Sequence, residues 1–395
     1  MSHIETQAVH AGDRKKLGDY IPVTTPIFGA TTFYYEKLGQ LERVFAREVE
    51  GQGYTRYGNP TAAAFEEQVA ALEGGDIAVS TASGMAALEL ALMIALTDRR
   101  RKVVAADVLF GQTYLLLQHV FEPAGVEARF VDPCNLAAFE ALVAEEKPGC
   151  VLIEAVSNPL LRVPQVDRIA EIAHAHGALL IVDSTFTTPA LLRPLELGAD
   201  IVFHSATKYL AGHADVLGGV TVAREEHREL LTALVRTLGP NLGPFECYLA
   251  MRGVKTLPLR MRRQCDNARL VAEALGADKR VEHVHYPGLI SHPDRETVRR
   301  IFVDGRAGAM VSFEIRDAGR EEVFRYINAL EMVLRTLSLG DVHSLVSYPT
   351  ISSHRNLSPK HRARLGIGDN LLRLSVGIEA ADDIIGDLLQ ALDAV

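Results

Sequence analysis

Between residues 61 and 250 the chain alternates two hydrophobic periods. Stretches with apolar residues three or four positions apart, such as Phe65, Val69 and Leu72, predict helices over 61–73, 83–96, 112–121, 136–145 and 166–176. The last is closed by Gly177. Between them lie short apolar runs at 102–106, 128–131, 151–155, 179–182 and 201–204, which predict strands buried on both faces. Such alternation implies an α/β fold, with a mostly parallel sheet covered by helices on both sides. In that architecture ligands gather beyond the C-terminal ends of the strands. The pattern changes on either side of this region. Residues 1–60 have little periodicity, carry Pro22 and Pro26, and end in a Gly- and Tyr-rich stretch at 51–60; they read as an extended arm. From residue 251 a long helix (260–275) leads into shorter strands at 281–285, 309–315 and 371–376, with helices at 320–328 and 381–392. These compose a second, α+β domain over 251–395.

Composition narrows the class. A chain of 395 residues is too long for one small core, and 48% hydrophobic content is enough for a large interior. The net charge of −9 argues against a nucleic-acid partner. The basic run Arg99-Arg100-Arg101-Lys102 reads as a solvated loop between a helix and a strand. The four cysteines are scattered without a CxxC pair, which is neither a zinc site nor a disulfide framework and suits a reducing compartment. No run approaches the ~18 apolar residues of a membrane span, and the first residues lack a basic-then-apolar signal pattern. A cytoplasmic protein with no membrane partner is expected.

Candidate chemistry concentrates at strand ends. Asp183 closes the apolar run 178–182, and Lys208 follows the run 199–204 within Ser205-Ala206-Thr207-Lys208. A pyridoxal phosphate (PLP) enzyme needs such a pair: a lysine amine to hold the aldehyde as a Schiff base, and a carboxylate to keep the ring nitrogen protonated. Ser205 and Thr207 offer hydroxyls to a phosphate. Ser83-Gly84-Met85 opens an apolar helix, where backbone N–H groups and the helix dipole favour an anion. Tyr54-Thr55-Arg56-Tyr57 places a guanidinium and phenols on a loop, and Arg373 sits in an alternating strand where a buried cation demands an anion. Each feature alone also has a plainer reading: a surface lysine, a turn aspartate, a helix N-cap, a packed loop, a structural ion pair.

Taken together in order, the motifs remove that ambiguity. The chain resembles the transsulfuration (Cys/Met metabolism) family of PLP enzymes, which includes cystathionine γ-synthase, cystathionine γ- and β-lyases, methionine γ-lyase and the O-acyl-homoserine sulfhydrylases. The likeness runs from Thr6-Gln7-Ala8-Val9-His10 through Tyr54–Thr61, Ser83-Gly84-Met85, Asp183-Ser184-Thr185, Ser205–Tyr209 and Met251–Leu257 to Arg373-Leu374-Ser375-Val376-Gly377. It implies the aspartate-aminotransferase type of fold (fold type I), with 61–250 as the PLP-binding domain, usually in a homotetramer of two catalytic dimers. It implies that Lys208 carries the cofactor and shuttles protons, and that Asp183 pairs with the ring nitrogen. Ser83, Gly84, Met85, Ser205 and Thr207 would bind the phosphate, while Tyr54 and Arg56 would reach the phosphate of the neighbouring subunit. Asn158 would lie near the ring's phenolic oxygen, and Arg373 would take the substrate α-carboxylate with Ser338 beside it.

One departure stands out. Phe110-Gly111-Gln112 occupies the place of a family Tyr-Gly, so the ring can stack on the cofactor but the proton-transferring phenol is missing. Gln112 also replaces the Cys associated with methionine γ-lyases. Ser338-Leu339-Gly340 resembles the synthase and lyase branches more than the O-acetylhomoserine sulfhydrylases. The resemblance therefore implies γ-elimination or γ-replacement on a homoserine-derived or cystathionine-like amino acid. The alternatives are O-succinyl- or O-acetylhomoserine sulfhydrylation, or a γ-lyase with an oxygen- or nitrogen-bearing leaving group. A non-catalytic PLP-fold protein is disfavoured by the presence of Lys208, Asp183 and Arg373.

Overall fold

The computed structural model of the chain describes residues 3–353, 355 and 359–395. Its larger sheet has seven strands: β1 (Ile77–Thr81), β2 (Lys102–Ala106), β3 (Glu127–Val131), β4 (Cys150–Glu154), β5 (Leu179–Asp183), β6 (Ile201–Ser205) and β7 (Gly219–Ala223). Their order across the sheet is β1-β7-β6-β5-β4-β2-β3. Strands β3, β2, β4, β5 and β6 run parallel, and β7 is antiparallel to both its neighbours. Strand β4 is buried along its whole length, as expected of a strand covered on both faces. Burying each Val, Ile or Leu of such a strand contributes roughly 1.5–3 kcal/mol.

The covering helices start and stop where their flanking residues dictate. Asn59 caps the helix Pro60–Glu73 by accepting from the Thr61 amide at 2.9 Å, and Gly74, with φ of 71°, ends it in the left-handed region. Asn135 caps Leu136–Glu146 in the same way. The helix expected over 112–121 is instead an α-helix, Gly111–Leu116, continued as a π-helical segment, Leu117–Phe121. The arm at the start of the chain, read as extended, holds two helices, Ile4–His10 and Leu38–Phe45. The first is tied down where Gln68 donates to the Ala8 carbonyl at 2.6 Å.

The second sheet adds β8 (Val281–His285), β9 (Met310–Ile315), β10 (Leu334–Arg335), β11 (Leu345–Ser347) and β12 (Leu371–Ser375), ordered β10-β11-β12-β9-β8. Arg373 lies mid-strand in β12, opposite Ser347 on one side and Ser312 on the other. The helix Leu257–Ala277 reaches both sheets' loops through buried polar side chains. Arg260 donates to the Leu210 and Gly253 carbonyls, Gln264 to those of Asp341 and Val376, and Asn267 to those of Gly377 and Glu379. It thereby ties the segment after Lys208 to the loop after Ser338 and to the chain leaving β12.

Candidate active site

Parallel pairing brings the C-terminal ends of β4, β5 and β6 to one rim, with Glu154, Asp183 and Ser205 as their last residues. A cavity of about 380 Å³ opens there, walled on its far side by Arg373 and by Ser352 and Ser353. Ser83, Gly84, Met85, Phe110, Asn158, Ser205, Thr207 and Lys208 also line it.

Local structure sets each side chain. Gly84 begins the helix Gly84–Leu96 hard against β6: a Cβ there would lie 2.8 Å from Ser205 Cβ and 3.0 Å from its Cα. Only glycine lets the helix N-terminus approach so closely. The Ser83 hydroxyl caps that helix by accepting from the Ala86 amide at 3.2 Å. Asp183 accepts from the Thr185 amide at 2.9 Å, and the Thr185 hydroxyl in turn accepts from the Ser205 amide at 2.9 Å, linking β5 to β6. Thr207 bonds through its hydroxyl to both backbone groups of Gly218. Lys208 Nζ donates to Ser338 Oγ at 3.0 Å. The Ser338 loop can sit so near because Gly340, at φ of 79°, passes 2.5 Å (measured to where its Cβ would be) from the Tyr209 amide nitrogen.

The charges are arranged unevenly. Burial, helped by the Arg373 charge, lowers the Lys208 pKa to about 8. Burial lowers that of Arg373 to about 10, partly offset by Tyr209 and Glu154. Asp183 is raised by burial, against the hydrogen bonds from Thr185 and the nearby His204. Glu154 is raised well above the carboxylate range, first by burial and then by the Asp183 charge, despite accepting from two amides. Two carboxylates on one rim resist ionising together, and Asp183 is the one less disfavoured as an anion.

Eleven of the thirteen residues singled out in the sequence come together here. Ten of them line the cavity, Asp183 and Arg373 included, and Ser338 touches Lys208. Tyr54 and Arg56 do not. The Arg56 guanidinium lies 4.7 Å from the Tyr57 ring centroid and donates to the Arg236 carbonyl, and Tyr54 is 40% exposed. The sequence reading passed over Glu154, which closes an apolar run just as Asp183 does, and Thr185, whose hydroxyl bridges two strands. Residues 354 and 356–358, next to Ser353, lie outside the described residues.

The site fits a pyridoxal phosphate. The Ser83-Gly84 turn leaves a close-packed cradle at a helix N-terminus, a place that suits a phosphate. A lysine amine and a carboxylate face the same space, and Arg373 Nε is buried with no hydrogen-bond partner. Among the described residues no group of three or more His, Cys, Asp or Glu is placed to hold a metal, and no helix is long and apolar enough to cross a membrane.

Comparison with known proteins agrees along the whole chain. Residues 5–393 match the family described as Cys/Met metabolism PLP-dependent enzyme. The O-succinylhomoserine sulfhydrylase of Pseudomonas aeruginosa is 41% identical over 394 residues, covering 99% of this chain and 95% of that protein. An L-methionine gamma-lyase of Fusobacterium nucleatum is 39% identical, covering 100% and 99%. The crystal structure of cystathionine gamma synthase from Xanthomonas oryzae pv. oryzae in complex with cystathionine superposes with a TM-score of 0.93 at 36% identity, covering 100% of this chain and 98% of that one. The chain is thus a fold type I, PLP-dependent enzyme and belongs to the Cys/Met metabolism family.

Proposed function

We propose that the enzyme performs γ-elimination or γ-replacement on a homoserine-derived or cystathionine-like amino acid. The observation that carries this reading is the convergence of Lys208, Asp183 and an incompletely bonded, buried Arg373 on one cavity. Lys208 holds the cofactor covalently, and its lowered pKa supports a neutral, nucleophilic amine near pH 8. Asp183 supplies the charge that keeps a ring nitrogen protonated. Ser83, Gly84, Met85, Ser205 and Thr207 hold the phosphate, and Asn158 stands by the phenolic oxygen. Phe110 covers the ring face. Arg373 grips the substrate α-carboxylate through its free Nε edge.

When bound, the cofactor serves as the electron sink that acidifies the substrate's Cα and then Cβ protons. Lys208, released from its covalent bond and steadied by Ser338, would take the Cα proton, hand it on to the bound cofactor, and as a neutral amine again take the Cβ proton. Loss of the second proton expels the group on Cγ. A nucleophile then enters at Cγ, or the four-carbon remainder is released and hydrolysed by water to 2-oxobutanoate and ammonia. Phe110 offers no proton to the departing group, which favours a leaving group stable without one. An acyloxy group fits, so O-succinylhomoserine sulfhydrylation is the second reading, supported by the 41% identical relative of that name. An oxygen- or nitrogen-bearing leaving group is a third.

Tyr54 and Arg56 complete the neighbour's phosphate site, in a homotetramer of two catalytic dimers located in the cytoplasm. Purified protein should be yellow, and the visible band should vanish in Lys208→Ala; a wild type that stays colourless with added PLP would rule out the proposal. A panel of cystathionine, methionine, O-acetyl-, O-succinyl- and O-phosphohomoserine, with and without sulfide or cysteine, scored for amino-acid and keto-acid products, separates the readings.

A further inference from the structure

Glu154 ends β4 inside the cavity, 8% exposed, and the scheme above gives it no task. Both its oxygens are held by backbone. Oε1 accepts from the Phe110 amide at 2.6 Å and Oε2 from the Asn158 amide at 3.2 Å. The two amides belong to different loops, one following β2 and one following β4, and each loop turns a cavity-lining side chain inward. Asn158 Oδ1 then accepts from Arg373 Nη1 at 2.8 Å. A line of three hydrogen bonds therefore runs from Phe110 through Glu154 and Asn158 to Arg373 in the other sheet. Two converging N–H donors need an acceptor at each end of one side chain. A carboxylate supplies both, whereas an amide would turn an NH₂ toward one of them. Burial disfavours the anion, and the two amide donors act against that penalty.

We infer that Glu154 is a positioning residue that sets the place of the ring-covering Phe110 relative to Arg373, so that the cofactor plane and the carboxylate grip stay in register. The inference rests on the reading that Arg373 binds the substrate α-carboxylate, and the test separates the two. In the holoenzyme, dissociation constants are measured from the cofactor's absorbance change for L-norleucine and for n-pentylamine, the same molecule without its carboxylate. Wild type should prefer norleucine by about 100-fold, the scale of charge-assisted hydrogen bonding. Glu154→Gln should cut that preference roughly tenfold, because a shift of Phe110 bears on both ligands whereas the lost register with Arg373 bears on norleucine alone. A role confined to stability would lower the melting temperature and leave the ratio alone, which would overturn the inference. A wild-type ratio near one would instead overturn the Arg373 reading and the inference with it. Should Glu154→Gln not fold, Glu154→Asp, which is too short to reach both amides, decides by the same ratio: a fall supports the inference and an unchanged ratio sinks it.

Discussion

Lys208 sits where burial and the Arg373 charge both oppose a second positive charge, and its pKa falls to about 8. The sign follows directly. Below that pH the amine is protonated and unreactive, and above it the amine is neutral. The rate at which apoenzyme captures added PLP should therefore rise about tenfold per unit up to pH 8 and flatten beyond. Stopped-flow absorbance checks this, and a profile flat from pH 6 to 9 would contradict it. Arg373 presents a different case, because it acts through geometry as well as charge. Arg373→Lys keeps the cation but loses the fork, so KM should rise by one to two orders of magnitude, or about 1.5–3 kcal/mol. Steady-state kinetics with unchanged KM and kcat would dismiss the substrate pose. Phe110 tests the leaving group. If the natural leaving group departs unprotonated, Phe110→Tyr should be neutral or harmful on the best substrate, since the added hydroxyl needs its own partner. General-acid help is typically worth about 10²–10⁴-fold, so a large gain on cystathionine or methionine would show instead that the missing phenol is a handicap. Lys208, Asp183 and Arg373 could be singled out beside apolar strands, but each alone had a plainer reading, and their roles, like that of Phe110, came from the resemblance of the ordered motifs. Glu154 carried the same signal at the end of 150–153, yet its task depends on Phe110 and Asn158, whose loops only folding brings together.

At the scale of elements, the helix Gly84–Leu96 shows a contact overruling a propensity. Alanine is favoured over glycine in helices by about 1 kcal/mol, so Gly84→Ala should stabilise an isolated helix. In this fold its Cβ would press on Ser205 at 2.8 Å, and neither atom can swing away. The substitution should push the helix start off β6 and raise the PLP dissociation constant while the rest of the helix holds. Equilibrium dialysis of PLP against the variant measures this; unchanged affinity would mean that the turn does not cradle the phosphate. The strands most legible in the sequence were β2, β4, β5 and β6, whose near-unbroken apolar runs are almost wholly buried; β3, at the sheet edge, buries none of its residues although its run 128–131 was read as covered on both faces. Strands β1 and β7 escaped. The first, Ile-Ala-Val-Ser-Thr, ends in two hydroxyl residues after a Gly-Gly-Asp turn, and the second, Gly-Val-Thr-Val-Ala, opens on glycine and carries a threonine at its centre, so neither offers a plain apolar run. Their place is fixed by β7 pairing antiparallel between β1 and β6, a long-range choice that local pattern does not encode. Of the arm's two helices, Leu38–Phe45 was legible and passed over: Leu38, Leu41, Val44 and Phe45 stand at helical spacing, although the helix buries none of its residues within the chain.

That unburied helix points to the scale of the whole molecule. The arm exposes Val23 at 86%, Tyr34 at 90% and Leu38 at 80%, a run of apolar side chains that a lone soluble chain seldom leaves uncovered. The same arm carries Tyr54 and Arg56, which stay out of their own chain's cavity. Both facts accord with the proposal that the arm lies on a second copy and completes its phosphate site. The proposal makes a demand that stability measurements do not. Arg56→Ala should lose PLP readily, and Lys208→Ala should be inactive, each as a homo-oligomer. In a hybrid dimer, however, one site combines Lys208 of the first variant with Arg56 of the second and is whole, while the other site lacks both. Random exchange between equal amounts makes half the dimers hybrid, each with one intact site, so activity should recover to about a quarter of wild type. Mixing the two variants under conditions where subunit exchange is demonstrated by mass spectrometry, then assaying keto-acid release at limiting PLP, gives the answer. Recovery near that level requires a shared site. No recovery, with exchange proven, would mean that each chain completes its own site and that the exposed arm serves assembly alone.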